Sequence, residues 1–144
     1  MNAQAVVDRA LELLIAQDVA GFAGLWAEDG VLEFPFAAPG FPRRLEGRAA
    51  VAEYMSGYPD ILRIREFPAV VVHQSVDPDV VIVEFEAAGT VVATGAPYRM
   101  RYIAVITVRD GEIGSYRDYW SPAAAAEVVG GSSELSDAFA GGTP

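Results

Sequence analysis

The 144-residue chain contains no cysteine and only one histidine, His73. The absence of cysteine excludes a disulfide framework and thiolate chemistry. It is compatible with the cytoplasm, where we expect the protein to be located. A single histidine without any cysteine also disfavours a zinc site.

Positive charge is scarce. There is no lysine, and ten arginines stand against 20 acidic residues, which gives a formal net charge of -10. A chain this acidic is unsuited to nucleic acid or to an anionic membrane surface, and we expect neither as a partner.

Three features of other protein classes are also missing. No uninterrupted apolar run approaches the ~20 residues of a membrane helix. Asp8 and Glu12 interrupt the N-terminus, which therefore lacks the pattern of a signal peptide. The sequence has no glycine-rich phosphate loop and no cluster of metal ligands, so we expect no cofactor.

Apolar residues are present in excess. They make up 52% of the sequence, and the mean hydropathy is +0.25. A chain of this length fits one domain, so the excess predicts a sizeable core together with an apolar cavity or a subunit interface. We assign residues 1–122 to a single domain and residues 123–144 to a C-terminal tail with short helices.

The first part of the chain has helical periodicity. Apolar residues recur at helical spacing over residues 3–17, and a second, shorter region of helical pattern follows over residues 18–30. The pattern then predicts a strand over residues 31–36, a loop rich in proline and glycine, and a third helix over residues 47–57. Helices therefore dominate the N-terminal half.

From about Ile61 the period changes to that of β-strands. Segments 68–76 and 80–93 form a predicted hairpin, and strands 98–109 and 112–121 follow after further turn signals. Helices followed by an antiparallel meander predict an α+β domain. We expect a cone-shaped, curved antiparallel sheet with about three helices covering the concave face and enclosing a pocket.

The segment Tyr116-Arg117-Asp118-Tyr119-Trp120 is the strongest candidate site. Because side chains alternate along a strand, Asp118 shares one face with Tyr116 and Trp120. A carboxyl group between two aromatic rings is poorly solvated, which raises its pKa and suits it to proton transfer. The alternative is that Asp118 lies at a wet sheet edge and pairs with an arginine.

Other side chains are candidate pocket residues. Tyr54, on the inward side of the third helix, could hydrogen-bond a substrate oxygen or simply pack against the sheet. His73 is a possible second acid or base, although a histidine in a valine-rich strand is more often a surface residue. Phe36 is a further candidate for the pocket wall, with core packing as the alternative. The predicted substrate-binding residues are Trp26, Phe34, Tyr54, Tyr102, Tyr116 and Trp120.

Side chains alternate along strand 98–109, so its residues divide between the two faces of the predicted sheet. Tyr102 belongs to the aromatic face, which we assign to the cavity. Ile103, Val105 and Thr107 lie on the convex face, where they would form an exposed hydrophobic patch. We therefore predict a homodimer through the convex sheet face.

Several short segments form a pattern that is shared with a known group of proteins. They are Gln17-Asp18-Val19-Ala20-Gly21, Leu25-Trp26-Ala27-Glu28-Asp29-Gly30, Leu45-Glu46-Gly47-Arg48, Val108-Arg109-Asp110-Gly111-Glu112-Ile113 and Arg117-Asp118-Tyr119-Trp120. Together with the order of elements, they resemble the nuclear transport factor 2-like superfamily. That superfamily includes ketosteroid isomerases, SnoaL-like polyketide cyclases, limonene epoxide hydrolases and the phenazine-biosynthesis A/B proteins. Its fold hosts many chemistries and several binding modules.

The residues that ketosteroid isomerases use are absent. By the resemblance, their general-base aspartate falls on Phe34, their oxyanion-hole tyrosine near Ala10 and their oxyanion-hole aspartic acid near Ala104. None of these three residues supplies the required group. Enolisation by that apparatus is therefore not available to this chain.

The final strand is similar to other members of the superfamily. Asp118 matches the proton-donating aspartate of limonene epoxide hydrolases, and the phenazine A/B proteins carry a glutamate there. The hydrolases also use an arginine and a second aspartate on an earlier strand, whereas the matching segment Glu84-Phe85-Glu86-Ala87 contains no arginine. SnoaL-like cyclases rely on one pocket carboxylate as acid or base.

The residues and the resemblance together predict a cofactor-independent enzyme of secondary metabolism. It would be of the cyclase, isomerase or dehydratase type, with Asp118 moving a proton on a hydrophobic, oxygenated small molecule. One alternative is an epoxide hydrolase, which would need an arginine beside Asp118. Another is a non-catalytic module that binds a hydrophobic ligand or dimerises as a scaffold.

Overall fold

The protein is described by a computed structural model over residues 2–129. The helices of this part are α1 (Ala3–Ile15), α2 (Val19–Ala23), α3 (Arg48–Ser56), α4 (Tyr58–Ile61) and α5 (Pro122–Val129). Its strands are β1 (Trp26–Glu33), β2 (Arg44–Glu46), β3 (Leu62–Gln74), β4 (Val80–Val91), β5 (Pro97–Arg109) and β6 (Glu112–Trp120).

The first two helices each begin at a capping side chain. The Asn2 side-chain oxygen accepts a hydrogen bond from the backbone N–H of Ala5 at 2.8 Å, and Asp18 accepts one from Gly21 at 2.8 Å. Each bond satisfies a backbone donor that has no partner within its helix. The buried stripe of α1 packs against strands β3, β4 and β5, so this helix covers one face of the sheet.

The six strands form one sheet in the order β2-β1-β6-β5-β4-β3. Neighbouring strands are antiparallel except β1 and β6, which are parallel. The predicted α+β class is confirmed, and the sheet is mixed rather than purely antiparallel as we expected. The chain makes β1 before α3 and the meander, and β1 then joins the sheet beside the last strand instead of beside β3.

Strand β1 begins earlier than predicted. The sequence pattern assigns residues 18–30 to a helix, whereas α2 ends at Ala23 and β1 starts at Trp26. Gly30, the last residue of that predicted helix, lies inside β1. A Cβ added to Gly30 would come within 2.8 Å of the Ile113 carbonyl oxygen, so glycine permits a close approach of β1 and β6.

Two prolines lie near element boundaries. The predicted strand over residues 68–76 begins at Pro68, whereas β3 begins at Leu62 and runs through this proline. Because β3 is an edge strand whose pairing with β4 shifts register between Glu66 and Ala69, a residue without an N–H is tolerated there. The third helix, predicted over residues 47–57, is α3, and Pro59 lies just beyond it in the first turn of α4, where proline is favoured.

The sheet has an inner face, which carries the helices, and an outer face. Val83, Ala104 and Asp118 are paired across β4, β5 and β6 and lie on the inner face. The adjacent row on the outer face includes Glu84 and Ile103, and the Ile103 side chain is 43% exposed. The predicted homodimer through this outer face stays a prediction.

Helix α5 occupies the start of the predicted tail. The remainder of that tail, residues 130–144, lies outside the described residues. None of the helices within residues 2–129 combines the length and apolar character needed to cross a bilayer.

Candidate active site

A cavity of about 140 Å³ lies between the helices and the inner face of the sheet. Eleven of its twenty lining residues are aromatic: Phe22, Trp26, Phe34, Phe41, Tyr54, Tyr58, Phe67, Phe85, Tyr102, Tyr116 and Trp120. The remaining lining residues are apolar except Asp118. The cavity is therefore an aromatic chamber with a single carboxyl group in its wall.

Alternation along β6 places Asp118 on the inner face between Tyr116 and Trp120. The residue opposite it on β5 is Ala104, which offers no polar side-chain group. The residue as a whole keeps some exposure, but its Oδ1 atom is buried and has no hydrogen-bond partner among the described residues. Desolvation raises the pKa of Asp118 from 3.8 to about 8, because burial disfavours the charged form.

Five tyrosine side chains lie near this carboxyl group: Tyr54, Tyr58, Tyr98, Tyr102 and Tyr116. Burial raises the pKa of each phenol, and the negative charge of Asp118 raises it further. The pKa of Tyr54 reaches about 12. That of Tyr98 also reaches about 12, although its hydrogen bond with Tyr102 lowers it. Near neutral pH these phenols are neutral and keep their O–H donors.

Trp26 carries a second unsatisfied polar atom. Its side chain is fully buried and stacks on Tyr116, with ring centroids 5.8 Å apart. Its Nε1–H has no acceptor in the described part of the chain. Buried polar groups are seldom unpaired, so the unpaired Trp26 N–H and Asp118 Oδ1 distinguish this wall from ordinary core packing, although neither atom has surface that a ligand could contact directly.

All six predicted substrate-binding residues line the cavity. His73 does not: it is exposed on β3, and its Nε2 lies 2.7 Å from Oε2 of Glu84. A second acid or base has to reach the ligand, so this placement gives no support to such a role for His73. Phe36 also lies outside the cavity, 60% exposed and with its ring against Tyr119.

Sequence reasoning missed Tyr58 and Phe67, which both line the cavity. Tyr58 stands between Gly57 and Pro59, and a proline just after a turn residue could have signalled the start of another helix. Phe67 precedes Pro68. The alternation of Leu62 and Ile64 with arginines in the sequence could have extended the predicted strand toward it.

No arginine, histidine or glutamate lines the cavity in the described part of the chain. Glu84 and Glu86 flank Phe85, which lines the cavity, so strand alternation turns both carboxylates to the outer face. Arg117 follows the same rule on β6 and is exposed. The arginine and second acid of an epoxide hydrolase are therefore missing from this wall. No group of three or more histidine, aspartate or glutamate side chains within residues 2–129 could hold a metal ion.

A family model described as a SnoaL-like domain matches residues 7–116. An uncharacterized protein of Bacillus subtilis, YesE, is 44% identical over 119 residues, which cover 83% of this chain and 81% of YesE. An uncharacterized PhzA/B-like protein of Pseudomonas aeruginosa is 39% identical over 131 residues, which cover 91% of this chain and 92% of that protein.

Solved structures have the same architecture. A Bacillus subtilis crystal structure that is provisionally named an isomerase is 42% identical, with a TM-score of 0.86 and coverage of 90% of this chain and 94% of the other. A Pseudomonas putida structure provisionally named a polyketide cyclase is 23% identical, with a TM-score of 0.77 and coverage of 89% and 98%. At that identity the likeness concerns the fold alone.

Proposed function

This chain belongs to the SnoaL-like domain family of nuclear transport factor 2-like proteins, and we propose that it is a cofactor-independent enzyme that uses Asp118 as a general acid and base. Its substrate would be a hydrophobic, oxygenated small molecule of secondary metabolism. The reaction would be a ring closure, an isomerisation or a dehydration. The observation that carries this proposal is the lone, unpaired carboxyl group in an otherwise apolar aromatic chamber.

The pKa of Asp118 supports this role. A general acid or base works best when its pKa lies near the operating pH, because both protonation states are then accessible. An ordinary aspartate is almost fully ionised at neutral pH, whereas burial raises the pKa of Asp118 to about 8. The carboxyl group can therefore give up a proton and take it back during one turnover.

The cavity suggests how the proton would move. Asp118, once ionised, removes a proton from the carbon next to a substrate carbonyl group and becomes a carboxylic acid, while the electron pair passes to the carbonyl oxygen. Neutral donors on the wall, such as the tyrosine hydroxyls, stabilise that oxygen. Asp118 then returns the proton at another position of the substrate, which completes an isomerisation.

The volume of the cavity limits the size of the ligand. An apolar cavity of roughly 150 Å³ holds one benzene molecule, and the cavity here measures about 140 Å³. We therefore expect a substrate whose reacting part is about one ring in size. Larger substituents would have to extend toward the exposed side of the site.

Hydrogen–deuterium exchange tests the proposed proton transfer. Cyclohexanone and cyclohex-2-enone are one-ring ketones of suitable size, and exchange of the protons next to the carbonyl in D₂O is followed by NMR. We expect the protein to accelerate exchange and Asp118→Asn to reduce that acceleration by about 10²–10⁴-fold. Glu112→Gln makes the same chemical change at an exposed position of β6 and should leave the rate unaltered.

Equal exchange rates in the wild type and in Asp118→Asn would eliminate Asp118 as the acid and base. If neither ketone exchanges faster than in buffer but both bind, the non-catalytic ligand-binding alternative is favoured.

A further inference from the structure

We propose that the ligand of this cavity carries a protonated amine, which pairs with Asp118 while aromatic rings surround its alkyl groups. The inference deepens the function proposed above and rests on it, because it concerns the same site. It identifies the substrate as an oxygenated organic cation about one ring in size.

The first argument for a cationic ligand is the charge of the residues that line the cavity. Asp118 is the one ionisable side chain other than tyrosine among the described lining residues, and no arginine or histidine accompanies it. An anionic ligand would meet a carboxyl group and no compensating cation. A cationic ligand would instead pair with this carboxyl group, which lines the cavity and has no other charged partner there.

The density of aromatic rings is the second argument. Phe34 lies with its ring centroid 4.8 Å from that of Trp120 and 5.5 Å from that of Tyr54, so three rings form a continuous wall. The wall continues from Trp120 to Tyr102, its partner across β5 and β6, and Phe85 stacks on Tyr102 at 5.0 Å. Cations are attracted to the faces of such rings, and cages of this kind recognise alkylammonium groups.

The tyrosine hydroxyls near Asp118 carry no positive charge that could pair with its carboxylate. They are Tyr54 on α3, Tyr58 on α4, Tyr98 and Tyr102 on β5, and Tyr116 on β6. The raised pKa of each phenol keeps these five groups neutral over the pH range in which Asp118 titrates. A bound ammonium group would therefore be the one positive charge at the carboxylate, and the pairing would favour the ionised form of Asp118.

Three probes of similar shape separate charge from size: tert-butylammonium, tert-butanol and pivalate. The two tryptophans of the chain, Trp26 and Trp120, both line the cavity, so their indole N–H signals in ¹⁵N-labelled protein report its occupancy. Dissociation constants are measured between about pH 6 and pH 9, where the ammonium probe stays protonated. The same titrations are made with Asp118→Asn and with the exposed control Glu112→Gln.

We expect tert-butylammonium to bind at least about tenfold more tightly than tert-butanol near pH 9, with pivalate weakest. The affinity of the cation should fall by up to about tenfold per pH unit below about pH 8, because Asp118 must lose its proton. The affinity of the alcohol should change little with pH. Asp118→Asn should abolish the preference, and Glu112→Gln should retain it.

Equal binding of the cation and the alcohol by the wild type near pH 9 would overturn the inference. The wild-type pH series alone decides this, even if Asp118→Asn does not fold. Such a result leaves the proposed acid–base function standing as long as ketone exchange depends on Asp118. Loss of that dependence, with the cation still preferred, would instead remove the proposed function and retain a cation-binding site.

Discussion

Asp118 owes its raised pKa to its surroundings and not to a neighbouring charge, since desolvation is the cause of the shift. Alternation along the strand predicts its position between Tyr116 and Trp120. The sequence could not predict that Oδ1 lacks a partner, because that depends on Ala104, which lies opposite on another strand.

The pH dependence of the free energy of unfolding should reflect the raised pKa of Asp118. Between about pH 4 and pH 8 the folded protein keeps a proton on Asp118 that the unfolded chain has lost, so the free energy of unfolding falls as the pH rises and levels off above about pH 8. Asp118→Asn removes this titration. As the pH rises across that window, we expect the free energy of unfolding of this variant to increase relative to that of the wild type by up to about 1.4 kcal/mol per pH unit.

Urea denaturation of both proteins at about pH 5 and about pH 8 measures the difference. Glu112→Gln serves as the control, since its exposed carboxyl group should not reproduce the trend. A constant difference between Asp118→Asn and the wild type at both pH values would mean that Asp118 titrates normally.

Strand β6 determines how well the site is protected from water. It lies between β1 and β5 in the interior of the sheet, so Asp118 is not at the wet sheet edge that was the alternative interpretation. The sequence predicted β6 and β5 well because their alternation is regular and their turns are short. The parallel pairing of β1 with β6 could not be predicted, because it joins segments at opposite ends of the domain.

The whole molecule has a second apolar surface, on the outer face of the sheet. A groove of about 610 Å³ lies there, with Phe36, Val71, Ile103 and Tyr119 among its lining residues. Phe36, Val71 and Ile103 are 43–60% exposed, which is unusual for a cluster of large apolar side chains in a protein that stays monomeric. We therefore propose that two copies of the chain associate through this face.

Sedimentation measurements test this association. We expect the wild type to sediment with twice the chain mass of 15.3 kDa, and Ile103→Lys to sediment as a monomer because a charge would be buried in the interface. Val76→Lys is the matched control, since Val76 is fully exposed in the turn between β3 and β4 and outside the groove. A monomeric wild type, or a dimeric Ile103→Lys, would contradict the proposed interface.

The most direct test of the central claim is a titration of the Asp118 carboxyl carbon by ¹³C NMR in the ligand-free protein. Asp118→Asn identifies the signal by its disappearance. Burial in the aromatic chamber predicts a midpoint near pH 8, as an isolated carboxyl group without a hydrogen-bond partner requires. A midpoint near pH 4 would mean that water or an unseen donor solvates the carboxylate, and it would contradict the proposed role of Asp118.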